Sequence, residues 1–335
     1  MNKNELLVSV IMPVFNSESH LSEAIESILS QNFKQFELII VNDGSTDNSL
    51  RIIQSFVDRD SRIILINQSN LGLPIALNNA IGVSKGKYIV RMDADDISLP
   101  GRLEKQVGFM ECNKEVDICG CWAQLIDDHG NKLSRTMKHP EDDYFLKAKL
   151  IFSVCFIHPS VIMRKSSLDN YNLRYNTSYR FSQDYELWSK ASEYLTFSNI
   201  QECLLMYRIN SEGITKKMAN NKNDIKMEMI KSIQYSMLEK YGIHLNTELY
   251  HIHYNISVND RMINSDINHE CLNSYMDEVI NQVGCDKEKL IKRVLFKKYI
   301  IYMYFSFRKD KLNFLKLFKY KNSYLSLLYY LRGLI

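Results

Sequence analysis

The sequence lacks the ~20-residue apolar run that crosses a bilayer: in its aromatic C-terminal segment the longest apolar stretch is about nine residues. It has no signal-peptide apolar stretch at its start, since Met1 to Leu7 is polar, which leads to the expectation of a chain that begins in the cytosol. Its seven cysteines are odd in number and without framework spacing, as expected of reduced thiols. Cys112, Cys119 and Cys121 form a C-x6-C-x-C pattern with no matching second pair, so they imply no metal site. There is no G-x-G-x-x-G after the first expected strand and no Walker A loop, which argues against a redox dinucleotide and an ATPase. Internal repeats and low-complexity linkers are also missing.

What is present is ordinary globular chain. The 335 residues are 45% hydrophobic and 24% charged, enough for two domains or one large domain with an appendage. Disorder, collagen-like repeats and small disulfide scaffolds are thereby excluded. The net charge of +3 conceals a split: residues 286–335 carry 13 Lys+Arg against 3 Asp+Glu, and the remainder 29 against 36. That basic segment is also aromatic, as in 299–307 and Tyr329-Tyr330. Such a pattern suits helices lying on an anionic membrane surface. An ordinary helical subdomain with solvated lysines and a nucleic-acid-binding segment are the other readings.

Residues 8–14, 36–41, 62–67 and 87–92 read as strands, alternating with helical patterns at 18–31, at about 49–58 and at 73–83. Strict alternation implies right-handed crossovers and a parallel sheet, half of a nucleotide-binding fold. Beyond it, 99–110 reads as a helix, 116–126 as a strand and 183–192 as a helix, with long helical patterns at 224–241 and 288–303. The composition changes near residue 215, dividing the chain into 1–215 and a helical 216–335.

Ligands of open parallel sheets bind beyond the carboxyl ends of the strands. Here those ends read Pro13-Val14-Phe15-Asn16, Asn42-Asp43 and Asp93-Ala94-Asp95-Asp96. Carboxylates where a phosphate would sit call for a bridging divalent cation, Mn²⁺ or Mg²⁺. Plainer readings exist: Asp43 as an Asx turn, and Asp96 as the cap of a helix starting near Leu99. Two acidic clusters on one sheet edge favour the ligand reading.

Four segments carry a resemblance to the family 2 glycosyltransferases of GT-A fold. They are residues 8–16 (VSVIMPVFN), 39–47 (IIVNDGSTD), 70–78 (NLGLPIALN) and 86–96 (GKYIVRMDADD), in order and at ordinary spacing, and the likeness extends over about residues 7–210. The resemblance implies a mixed, mainly parallel sheet flanked by helices; the C-terminal helical extension follows from the helical patterns beyond residue 215. It implies that Asp43 bonds the nucleobase, with Pro13, Val14, Phe15 and Asn16 lining the same pocket. Asp93 would contact the ribose, Asp95 would hold the metal on the diphosphate with Ala94 between them, and Asn70, Gly72 and Asn78 would shape the nucleotide side. The segment 182–188 (SQDYELW) is similar to the family's E/Q-D-x-x-x-W, which makes Asp184 the expected general base. A positioned carboxylate base contributes about 10²–10⁴ in rate, and a single base opposite the leaving group implies inversion. Where family members carry Y-R-x-H, this chain has Tyr207-Arg208-Ile209-Asn210. Arg208 is then an expected phosphate contact, His158 a satisfied structural residue or else an acceptor or phosphate contact, and Trp188 a sugar platform or a core residue.

The expected activity is transfer of a sugar from a UDP-linked nucleotide sugar to a lipid-linked glycan in O-antigen, capsule or lipooligosaccharide assembly. The expected place is the cytoplasmic face of the inner membrane, reached through the basic tail, with no nucleic-acid partner. A nucleotidyltransferase is disfavoured because no glycine-rich loop with Arg and Lys follows the first strand. A non-catalytic glycan-binding module on a degenerate GT-A fold is the alternative.

Overall fold

The structure is a computed structural model, and the residues it describes are 6–209, 224–258, 269–283 and 291–298. The chain separates into two compact units, one holding 1–143 and 155–227, the other 144–154 and the residues from 228 onward.

In the first unit β1 (Val8–Val14), α1 (Leu21–Leu29), β2 (Phe36–Asp43), α2 (Ser49–Val57), β3 (Ile63–Gln68), α3 (Leu73–Val83) and β4 (Tyr88–Arg91) alternate as expected. Every residue of β1, β2 and β4 is buried, the signature of central strands covered on both faces. α1 turns Leu21, Ala24, Ile25 and Ile28 inward at helical spacing, and α3 starts with Pro74 in its first turn, where a missing N–H costs nothing. Then follow β5 (Ile97–Ser98), α4 (Arg102–Cys112), β6 (Ile118–Ile126), β7 (Lys132–Met137), β8 (Ile162–Arg164), α6 (Lys165–Asn170), α7 (Gln183–Ala191) and β9 (Phe197–Arg208), while α5 (Asp143–Lys149), between β7 and β8 in the chain, belongs from residue 144 onward to the second unit.

The strands form one sheet in the order β3-β2-β1-β4-β8-β6-β9-β5, with β7 paired to β6 outside that path. β1 to β4 are mutually parallel, β8 runs antiparallel to both β4 and β6, and β9 is parallel to β6. Because β8 reverses between β4 and β6, the strands β1, β2, β4, β6 and β9 all point the same way. Their carboxyl ends therefore meet on one edge. The sheet is mixed and mainly parallel, as the resemblance implied. The short antiparallel β8 was not legible in the sequence, because three residues carry no periodicity.

The second unit is helical. Asp224–Lys240, Thr247–Val258, His269–Gln282 and a helix over 291–298 gather around Leu238, Ile252, Ile256, Leu272, Tyr275 and Met276, with Ile151 and Phe152 from the 144–154 segment in the same core. At its centre the buried His253 pairs Nδ1 with the Tyr275 hydroxyl (2.7 Å) and Nε2 with the Ile151 carbonyl (3.0 Å). Of the basic C-terminal segment, 291–298 buries Ile291, Val294, Leu295 and Phe296 in this core. The remainder, 286–290 and 299–335, lies outside the described residues, as does Asn210. Among the described residues no helix is long and apolar enough to cross a membrane.

Candidate active site

The carboxyl end of β4 leads straight into Asp93, Asp95 and Asp96, whose carboxylates come within 4.8 Å of one another. Asp96 is 1% exposed; its Oδ1 accepts the Arg208 main-chain N–H (2.8 Å) and its Oδ2 is buried without a partner. Asp96 therefore does not cap α4, which starts at Arg102 after Gly101. Burial, then the charge of Asp93, pushes the Asp95 carboxyl up to about 6. Burial, then the charges of Asp93 and Asp95, also raises Asp96 well above the usual carboxylate range. Arg91, 2% exposed, is inserted here and ion-paired to Asp93.

At the end of β2, Asp43 turns inward. Its Oδ1 accepts hydrogen bonds from Gln68 Nε2 and the Leu71 N–H (both 2.8 Å), and its Oδ2 from the Gly72 N–H (2.9 Å). The carboxylate is 4% exposed and braces the loop that carries Asn70 and Gly72. Gly44 beside it has φ +71°, and a Cβ there would lie 2.5 Å from the Asn70 nitrogen, so two backbones touch where only glycine fits. At the end of β1, Pro13 and Val14 are buried within the strand, while Phe15 is 47% exposed. Asn16, at φ +48°, accepts the Thr46 N–H on its Oδ1 (2.8 Å) and donates its own N–H to Ser45 Oγ (3.1 Å), tying the first two strand-end loops together. Left-handed backbone is tolerated there because Asn is one of the few residues that visits it.

Asp184 occupies the first turn of α7, where the helix dipole favours a negative charge. Burial raises its pKa; the Tyr185 N–H and Arg91 oppose the rise and Asp93 adds to it. The base candidate thus shares the electrostatic field of the strand-end acids, although 91 positions separate it from Asp93.

Several expected contacts find other work. Arg208 was expected on a phosphate, but its side chain is 1% exposed and donates to the Asp95, Asp127 and Asp128 carbonyls and to Glu23. Trp188 was open between sugar platform and core; at 0% exposure, edge-on to Phe156 and His158, it is core. Asn78 clamps the Tyr175 main chain, donating from Nδ2 to its carbonyl (2.8 Å) and accepting its N–H on Oδ1 (3.0 Å). The Tyr175 hydroxyl meets His158 Nε2 at 2.8 Å. Burial, then Arg91, holds the His158 imidazole well below its usual range, so it is neutral near pH 7.

The sequence profile of "Glycosyl transferase family 2" matches residues 9–171. An uncharacterized glycosyltransferase of Methanocaldococcus jannaschii is 40% identical over 210 residues, covering 61% of this chain and 71% of its own. The chain belongs to glycosyl transferase family 2. The O-antigen biosynthesis glycosyltransferase WbnJ of Escherichia coli is 33% identical over 217 residues, or 63% of this chain and 82% of its own. In fold, the chain resembles Staphylococcus aureus TarS in complex with UDP-GlcNAc (TM-score 0.61, 17% identity, 98% of this chain and 92% of that one). It also resembles the mannosyltransferase PcManGT of Pyrobaculum calidifontis in complex with GDP-Man and Mn²⁺ (TM-score 0.51, 14% identity, 91% and 88%). These likenesses place the sheet among GT-A glycosyltransferases.

A hard divalent cation fits this glycosyltransferase's acid cluster. The donors are all carboxylate oxygens, Asp96 Oδ2 has no partner, and the burial and the charge of Asp93 that raise Asp95 are what such an ion offsets. Arg91 was passed over in the sequence reading, although a lone charge ending the buried strand Tyr-Ile-Val-Arg was the available signal. The same holds for Arg102, at 0% exposure, which donates Nη2 to the Arg91 and Pro159 carbonyls (2.9 and 2.8 Å) and so ties α4 to the acidic loop.

Proposed function

We propose that this family 2 glycosyltransferase transfers a sugar, with inversion, from a UDP-linked nucleotide sugar to a hydroxyl of a lipid-linked glycan during surface-polysaccharide assembly. The observation that carries the reading is the convergence of Asp93, Asp95 and Asp96 on the edge where β1 and β2 also end, with Asp184 electrostatically linked to them. Asp95, with Asp96 beside it, would hold Mn²⁺ or Mg²⁺. Such an ion supplies positive charge to the departing diphosphate.

The chain's own groups do the rest. The exposed ring of Phe15 and the loop 70–72, braced by Asp43, flank the nucleobase. Asp93, held by Arg91, faces the ribose. Asp184 takes the proton of the attacking hydroxyl as that oxygen bonds to C1 of the sugar. The basic tail after residue 298 would bring the enzyme to an anionic membrane surface, where a lipid-linked acceptor resides.

Thermal melting with UDP, GDP, CDP and dTDP, each with and without Mn²⁺ or Mg²⁺, tests the reading. A bound ligand at a hundred times its dissociation constant adds about 2.7 kcal/mol. A cation-dependent shift with UDP alone is expected. No shift with any nucleotide would favour a non-catalytic glycan-binding module on the same fold.

A further inference from the structure

Arg208 closes β9, opposite Ile126 in the parallel β6–β9 pairing, so its side chain begins at the same edge as the acidic loop. Four of its five N–H groups are committed. Nε donates to the Asp95 carbonyl (2.7 Å), Nη1 to the Asp127 and Asp128 carbonyls (3.1 Å each), and Nη2 to the Glu23 carboxylate. The main-chain N–H of the same residue donates to Asp96 Oδ1, which leaves Oδ2 as that carboxylate's unpartnered atom. One residue thus grips the backbone of Asp95 and the side chain of Asp96. It also anchors both to the turn after β6 and to α1.

We infer that Arg208 is a positioning residue for the cation: it fixes Asp95 and Asp96 relative to each other and touches neither phosphate nor sugar. The inference rests on the cation-dependent donor binding proposed above. Only one N–H of the guanidinium is left over for a phosphate, and a side chain 1% exposed offers no approach to it. A planar fork bonding several carbonyls at once is a geometry that lysine does not reproduce, although it keeps the charge. Glu23 is the handle for a milder perturbation, because it is 53% exposed and its replacement leaves the core untouched.

The test is Mn²⁺ titration of full-length Arg208→Lys and Glu23→Gln in the presence of UDP, followed by calorimetry and melting, beside UDP titration without metal. Loss of a partner that orients a metal ligand typically costs about 10–100-fold in metal affinity. Arg208→Lys is expected to fall in that range and Glu23→Gln to lose about threefold, with metal-free UDP affinity within about twofold of wild type for both. Wild-type Mn²⁺ affinity in both folded variants would overturn the inference, and so would an equal loss of UDP affinity with and without metal. Should Arg208→Lys fail to fold, Glu23→Gln decides alone. A wild-type chain that binds no nucleotide diphosphate with Mn²⁺ would instead overturn the donor reading, which separates the two failures.

Discussion

Arg91 and Asp93, two residues apart where β4 ends, form an ion pair in which the guanidinium is 2% exposed and the carboxylate 28%. The pair is more than local, because the same cation also opposes the burial penalties on Asp95, Asp96 and Asp184. Arg91→Met removes it from among four acids. Breaking a fully buried pair costs about 3–5 kcal/mol, and the partial exposure of Asp93 lowers the expectation to about 2–3 kcal/mol at pH 7. The loss should shrink at pH 5, where a carboxyl lifted to about 6 is already mostly protonated. Urea unfolding at both pH values measures this; a loss unchanged by pH would detach Arg91 from Asp95.

Asp184→Asn should lower transfer by about 10²–10⁴ while nucleotide binding survives. Because burial raises the Asp184 pKa and the base form is the ionised one, kcat/KM should fall as pH drops through that raised value. The acid limb therefore lies above the ordinary carboxylate range. Steady-state rates across pH, with UDP melting as the binding control, check both points; undiminished turnover in Asp184→Asn would remove it from the base role.

Gly44→Ala should destabilise by about 2–3 kcal/mol, combining left-handed backbone strain with the 2.5 Å approach of the new Cβ to the Asn70 nitrogen. Because Asp43 braces the same loop, UDP affinity should drop along with the melting temperature. Gly82, a helical glycine with nothing within 4 Å of its Cβ position, is the control: Gly82→Ala should hold or raise stability.

Removal of 299–335, with its 7 Lys+Arg against one Asp, should abolish flotation with anionic vesicles and leave transfer to a soluble acceptor intact. A cut at about residue 285 would also delete Phe296 and its neighbours from the helical core, so 298 is the place to truncate. Vesicle binding unaffected by the shorter cut would end the membrane-anchor reading.

The sequence alone determined the frame. Apolar strands alternating with amphipathic helices specify β1 to β4 through local periodicity. A parallel sheet then puts its strand ends on one edge, which made Asp43, Asp93 and Asp95 legible before any coordinates. Asp184 was legible too, through the segment around it. What each polar group does was decided by tertiary structure, because burial and hydrogen-bond partners come from strands distant in sequence. Three residues of β8 reverse the sheet, β6 and β9 then run parallel, and Arg208 arrives beside Asp96 from 112 positions away. Asn78 reaches Tyr175 across 97 positions, and Trp188 vanishes into the core. No pattern along the chain encodes such neighbours. A side chain left open to solvent can bind a ligand, whereas one enclosed by its own fold must be satisfied by that fold, and only the packing of the elements settles which applies.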